Sequence, residues 1–135
     1  MAKLKVLAVL IAVTHALLPV SAKAPIWTSN DRYGSFSLDG YSWNNDVWGR
    51  DAGPQTISVS AINQWGVWSN QPDTDGIKSY PHEGFNIGKP LSSINTLVSA
   101  FNQDVPTSGA WDVAYDIWDN SNQHEIMLWT RVRTH

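Results

Sequence analysis

The chain has 135 residues, a formal net charge of −3 and only 16% charged residues, which bounds it to one domain and hardly more. Cysteine is absent, so disulfides, zinc–thiolate centres and cysteine nucleophiles are excluded. No run of Lys or Arg follows the first few residues, which argues against nucleic acid and anionic membranes as partners.

Met1 to Ala22 reads as a secretory signal peptide: Lys3 and Lys5, an apolar run from Val6 to Val20, then Val20-Ser21-Ala22 as a small-residue cleavage site. A transmembrane anchor is the competing reading. The run falls short of the roughly 20 residues a spanning helix needs, and Thr14, His15 and Pro19 interrupt it. Residues 23–135 are expected to form the mature domain, outside the cell and free of the membrane.

Past the leader no segment keeps a helical period for more than two turns. Short alternating runs punctuated by Gly, Pro, Asn and Asp predict an all-β domain. The expected strands are Ser35–Leu38, Tyr41–Asn44, Gln55–Ile62, Gly66–Ser69, Gly84–Ile87, Thr96–Asn102, Trp111–Trp118 and Glu125–Val132. Turns are marked by Asp39-Gly40, Gly53-Pro54, Asp73-Thr74-Asp75-Gly76, Gly88-Lys89-Pro90 and Asp119-Asn120-Ser121-Asn122. Such spacing predicts an antiparallel sandwich or barrel.

The last two strands carry the chemistry. Alternation sets Ala114, Asp116 and Trp118 on one face and Val113, Tyr115 and Ile117 on the other. In the final strand Glu125, Met127 and Trp129 share a face, and Ile126 and Leu128 the opposite one. The short loop between them predicts a hairpin. Two carboxylates would then stand beside Trp and Met on one surface. A solvated sheet face with incidental Asp and Glu reads equally well from periodicity. The chain also has eight tryptophans. A Trp-rich core accounts for them, and so does a surface on which sugar C–H faces stack against indoles.

Four runs of this sequence resemble glycoside hydrolase family 12, the small secreted endo-β-1,4-glucanases and xyloglucanases. They are Asn44-Asn45-Asp46-Val47-Trp48-Gly49, Gly76-Ile77-Lys78-Ser79-Tyr80-Pro81, Val113-Ala114-Tyr115-Asp116-Ile117-Trp118 and His124-Glu125-Ile126-Met127-Leu128-Trp129, in the family's order. The first run has one residue more before Trp48 than the commonest family form. The resemblance implies a two-sheet antiparallel jelly-roll β-sandwich of the concanavalin-like kind, with a cleft on its concave sheet. It implies Glu125 as nucleophile, Asp116 as the carboxylate supporting it, and Met127 beneath the reacting sugar. It further implies Trp48 stacked on a glucose ring, with Asn45 or Asp46 as a polar sugar contact. Trp118 and Trp129 are expected on the same surface as the carboxylates. The implied partner is a β-1,4-glucan or xyloglucan, with no cofactor and no metal.

A retaining glycosidase needs a second carboxyl group about 5–5.5 Å from the first, across the scissile bond. One must be ionised to attack and the other protonated to release the leaving oxygen. In the family that acid follows far downstream, in a Glu-Pro-Phe or Glu-Pro-Trp context, and nothing here corresponds. Glu83 is the other glutamate after the leader, and it sits in a structural motif. His82 and Glu83 lack metal spacing, and His82, His124 and His135 form no ligand pattern and read as surface histidines. No Gly-x-Ser-x-Gly elbow occurs. The chain is therefore expected to be an incomplete jelly roll that lacks its general acid, inactive alone and weak in folding. The alternative is a non-catalytic β-glucan-binding or decoy paralogue.

Overall fold

The computed structural model describes residues 3–10, as backbone, and residues 24–134. Among the described residues nine strands form two antiparallel sheets: β1 (Lys3–Leu10), β2 (Trp27–Ser29), β3 (Ser35–Leu38), β4 (Tyr41–Asn44), β5 (Gln55–Ala61), β6 (Gln64–Ser69), β7 (His82–Pro90), β8 (Trp111–Asp119) and β9 (Glu125–Arg133). The larger sheet runs β3-β4-β7-β1-β8-β9 and the smaller β2-β5-β6. The fold is an all-β sandwich, as alternation predicts.

Local chemistry explains the hairpins. Asp39 and Gly40 both have positive φ, 51° and 85°, and join β3 to β4 as a two-residue turn whose twist matches the strands. Between β8 and β9 the Asp119 carboxylate accepts from the backbone N–H groups of Ser121, Gln123 and His124, and from the Ser121 hydroxyl. His124 Nδ1 lies 2.8 Å from the same carboxylate. One side chain thereby organises the whole loop.

The core lies between β3–β4 and β5–β6. Trp43, Ile57 and Val59 are fully buried, ringed by Trp27, Phe36, Leu38, Tyr41, Ile62, Trp65 and Val67. A column of rings runs through it: Trp27 on Phe36 at 5.4 Å, Phe36 on Trp43 at 5.8 Å, Trp43 on Tyr41 at 6.1 Å, Tyr41 on Phe85 at 4.7 Å. Offset rings at these separations add to their area burial. The aliphatic face of β9 has no such cover, and Ile126 and Leu128 stay exposed.

Several differences from the sequence reading stand out: Trp27–Ser29 is an unexpected strand, and the expected turn Gly88-Lys89-Pro90 is instead the end of β7. Thr96–Asn102 is not a strand but part of the long connection from β7 to β8. It is held instead by Phe101 edge-on to Tyr115 at 5.1 Å and by Tyr115 Oη donating to Ser99 Oγ at 2.9 Å. Part of the expected leader is described as well. Lys3–Leu10 pairs with β7 on one side and β8 on the other, so in the uncut chain these residues are a central strand. Residues 1–2 and 11–22 of the expected leader, with its cleavage site, lie outside the described residues, as does His135.

Candidate active site

The register decides which side chains meet. Met127 lies opposite Asp116, Glu125 opposite Trp118, and Trp129 opposite Ala114. Opposed residues share a face, so Asp116, Trp118, Glu125, Met127 and Trp129 lie together, with Asp116 and Glu125 as diagonal neighbours. The same rows continue across the sheet. Ser42, Gly84, Leu7, Asp116 and Met127 are in lateral register, and so are Asn44, His82, Val9, Ala114 and Trp129. Asn44 and His82 therefore stand on the carboxylate face. His82 and Ala114 are two strand spacings apart, roughly 10 Å.

The two carboxyl groups have unequal surroundings. Asp116 is 1% exposed. Its Oδ2 accepts a hydrogen bond from the Tyr80 hydroxyl. Its Oδ1 meets no N–H or O–H donor. Glu125 is exposed, and its carboxyl is raised to about 7, first by sharing a hydrogen bond with Asp116, then by burial and by repulsion from the Asp116 charge. The pair accordingly holds one proton below neutral pH, and a proton on Glu125 gives Asp116 Oδ1 the donor it otherwise lacks. Tyr80 is pushed well above the usual phenol range by burial and by Asp116, so its hydroxyl stays a donor. Asp112 is half-buried and raised by that burial. Beside the pair, the Trp129 indole N–H donates to Met127 Sδ.

The residues expected to contact sugar separate sharply. Trp48 is 49% exposed and free to stack. Asp46 lines a cavity of about 210 Å³ together with Tyr33, Asn44 and His82. Asn45, expected beside it as an alternative sugar contact, is fully buried. Its Nδ2 donates to Asp31 O at 2.8 Å and to Gln55 O at 3.3 Å, and its Oδ1 accepts from Gln55 Nε2 at 3.0 Å. With every polar atom engaged inside, Asn45 is a structural residue, and that expectation is corrected. The alternation of β4 continues through this loop, with Trp43, Asn45 and Val47 buried and Asn44, Asp46 and Trp48 not.

His82 is a second correction. Rather than a plain surface histidine, it is half-buried, with Nδ1 donating to Tyr80 O at 2.8 Å and Nε2 accepting from Asn44 Nδ2 at 3.0 Å. Sequence reading missed its place because its side-chain partner Asn44 lies 38 residues away. Tyr80 was legible as part of a motif but not as a ligand of Asp116.

Glu83 occupies the other side of the sheet. It pairs with Trp43, the centre of the core, so its carboxyl belongs to the sandwich interior. Burial raises it above its ordinary value, and the indole N–H groups of Trp43 and Trp65 nearby offset part of that. Trp43 Nε1 completes no hydrogen bond in this geometry, so burial dominates.

The motif loops are locked by contacts that need their residue types. Gly49 N donates to Lys78 O and Tyr80 N to Asp46 O, both at 2.9 Å. A Cβ on Gly49 would lie 2.2 Å from Ile77 O, so only glycine permits this approach. Gln55 Oε1 accepts from Ser69 Oγ at 3.0 Å, Ser79 Oγ at 2.7 Å and Gln71 Nε2 at 3.4 Å, while its Nε2 holds Asn45. One buried amide thus ties the Asn44–Gly49 run to the Gly76–Pro81 run.

Comparison with known proteins agrees with this geometry. The xyloglucanase domain of NopAA, a type three effector from Sinorhizobium fredii, solved in complex with cellobiose, is 77% identical to this chain. The match covers 80% of this chain and 49% of that one, with a TM-score of 0.77. Endoglucanase S from Pectobacterium parmentieri is 30% identical across 70% of this chain and 45% of its own length. The chain thus spans about half the length of each. No protein-family model matches it.

Proposed function

We propose, for a chain related in sequence and fold to a xyloglucanase domain and to an endoglucanase, that it is part of a retaining glycoside hydrolase of family 12 acting on β-1,4-glucan or xyloglucan. The observation that carries this reading is the diagonal pair Asp116–Glu125, sharing one proton on a face with Met127, Trp118 and Trp129. In its ionised form Glu125 is the nucleophile. Asp116 orients it and disperses its charge. Met127 lies beneath the sugar, and Trp48 and Asp46 bind a ring farther along the cleft.

A retaining mechanism also requires protonation of the leaving oxygen. That needs a carboxylic acid across the scissile bond. Glu83 does not supply it, because it shares the core face with Trp43. Taken alone, the chain binds glucan without efficient turnover. The exposed Trp48 and Trp129 equally fit a β-glucan-binding or decoy paralogue. Export through the Met1–Ala22 leader is part of the same proposal, supported by Lys3, Lys5 and the apolar run that follows.

Titration of the purified chain with xyloglucan or cello-oligosaccharides, followed by tryptophan fluorescence, tests the binding. Saturable quenching is expected, and Trp48→Ala should weaken it about tenfold, the loss of one aromatic stacking contact. Quenching that is absent, or unchanged by Trp48→Ala, sinks the assignment of the cleft. A reducing-end assay on the same material separates binder from enzyme.

A further inference from the structure

We infer that Tyr80 is a positioning residue of this site: its hydroxyl fixes Asp116 and ties the Asp116–Glu125 pair to the sugar-side loop. The inference rests on reading Asp116 and Glu125 as a functional pair. Tyr80 is anchored at three points. Its backbone N–H donates to Asp46 O at 2.9 Å, its carbonyl accepts from His82 Nδ1 at 2.8 Å, and its hydroxyl donates to Asp116 Oδ2. His82 in turn holds Asn44. A continuous chain of hydrogen bonds therefore runs from the cavity lined by Asn44, Asp46 and His82 to the carboxylate next to Glu125.

The geometry gives Tyr80 a specific task. Asp116 is buried and has two oxygens to satisfy. Tyr80 engages Oδ2, so Oδ1 alone is left to accept from Glu125. With Asp116 held as an acceptor, the proton shared by the pair sits on Glu125. Without the phenol, Asp116 is a less firmly held acceptor for the Glu125 proton. The groups around this relay are Asp46 in the loop, His82 on β7, Asp112 and Asp116 on β8, and Glu125 on β9. Lys5 on β1 stands opposite Trp118 in the register. A tyrosine present only for packing would be replaced by phenylalanine without effect on the carboxyl groups. The ring contact between Tyr80 and His82, at 5.6 Å, survives that change.

The test is a site-resolved carboxyl titration of the full chain by carbon-detected NMR, comparing wild type with Tyr80→Phe. The Glu125 midpoint, about 7 in the parent, is expected to fall by about one pH unit. An unmoved midpoint in a folded Tyr80→Phe variant overturns the inference. Asp116→Asn gives a second reading should that variant not fold: the Tyr80 phenol should then titrate at lower pH than in wild type. A phenol that ignores this change also overturns it. Both measurements use ligand-free protein, so their failure leaves the glucan-binding result intact, and failed glucan binding leaves them intact.

Discussion

At Glu125 one carboxyl group links the site to the stability of the fold. Folding raises it from an ordinary 4.5 to about 7. Between those values the folded chain binds more protons than the unfolded one, so stability is full below pH 4.5 and declines as pH climbs toward 7. Asp119 works in the opposite sense, because its carboxyl is held below its ordinary 3.8 by His124 and the loop donors, and its contribution fades only in acid below that value. Urea unfolding of wild type and Glu125→Gln across pH 4.5 to 7 should show the decline in the first and a flatter profile in the second. Equal slopes would mean that the shared proton does not exist. Asp116, Glu125 and Met127 could be placed from sequence because a strand has a period of two and the hairpin between them is short. Asn45 and Asp46 are both small polar residues beyond the end of β4, and the buried amide that engages the inward one, Gln55, lies ten positions away.

Among the elements, the motif loops depend on β5 more than on each other. Gln55 has its Nε2 on Asn45 and its Oε1 on Ser79, so replacing its amide with an apolar group strands buried donors and acceptors in both loops. Gln55→Leu should cost about 3 kcal/mol, the order expected for one or more unpaired buried polar groups. Calorimetric unfolding would measure it, and a loss below about 1 kcal/mol would show that water or rearrangement satisfies the orphans. The chemistry of the hairpins was plain in the letters, since Asp39-Gly40 demands a tight turn and Asp119 sits where an Asx cap is useful. The run Thr96–Asn102 misled because alternation describes a side-chain pattern, whereas a strand also needs an edge to join. Val98, 85% exposed, shows that the apolar positions of this run are not buried against a sheet.

Across the whole molecule, the strand order is set by a segment whose composition has two meanings. Leu, Val and Ala after two lysines make a leader, and the same letters make a β-strand. In the uncut chain Lys3–Leu10 fills the slot between β7 and β8. A chain beginning at Lys23 should therefore show amides in His82–Pro90 and Trp111–Asp119 exchanging with solvent on the order of tenfold faster, unless those strands close on each other. Unchanged protection with new contacts between them would show that β1 is replaceable. The slot also has a consequence for biogenesis. On the proposed leader reading, an export receptor and a signal peptidase must grip a free apolar segment, whereas Lys3–Leu10 of it lies in the middle of a sheet. Ribosome-bound chains would face a race, in which early folding hides the address from the machinery that reads it and early capture leaves two strands waiting for a neighbour.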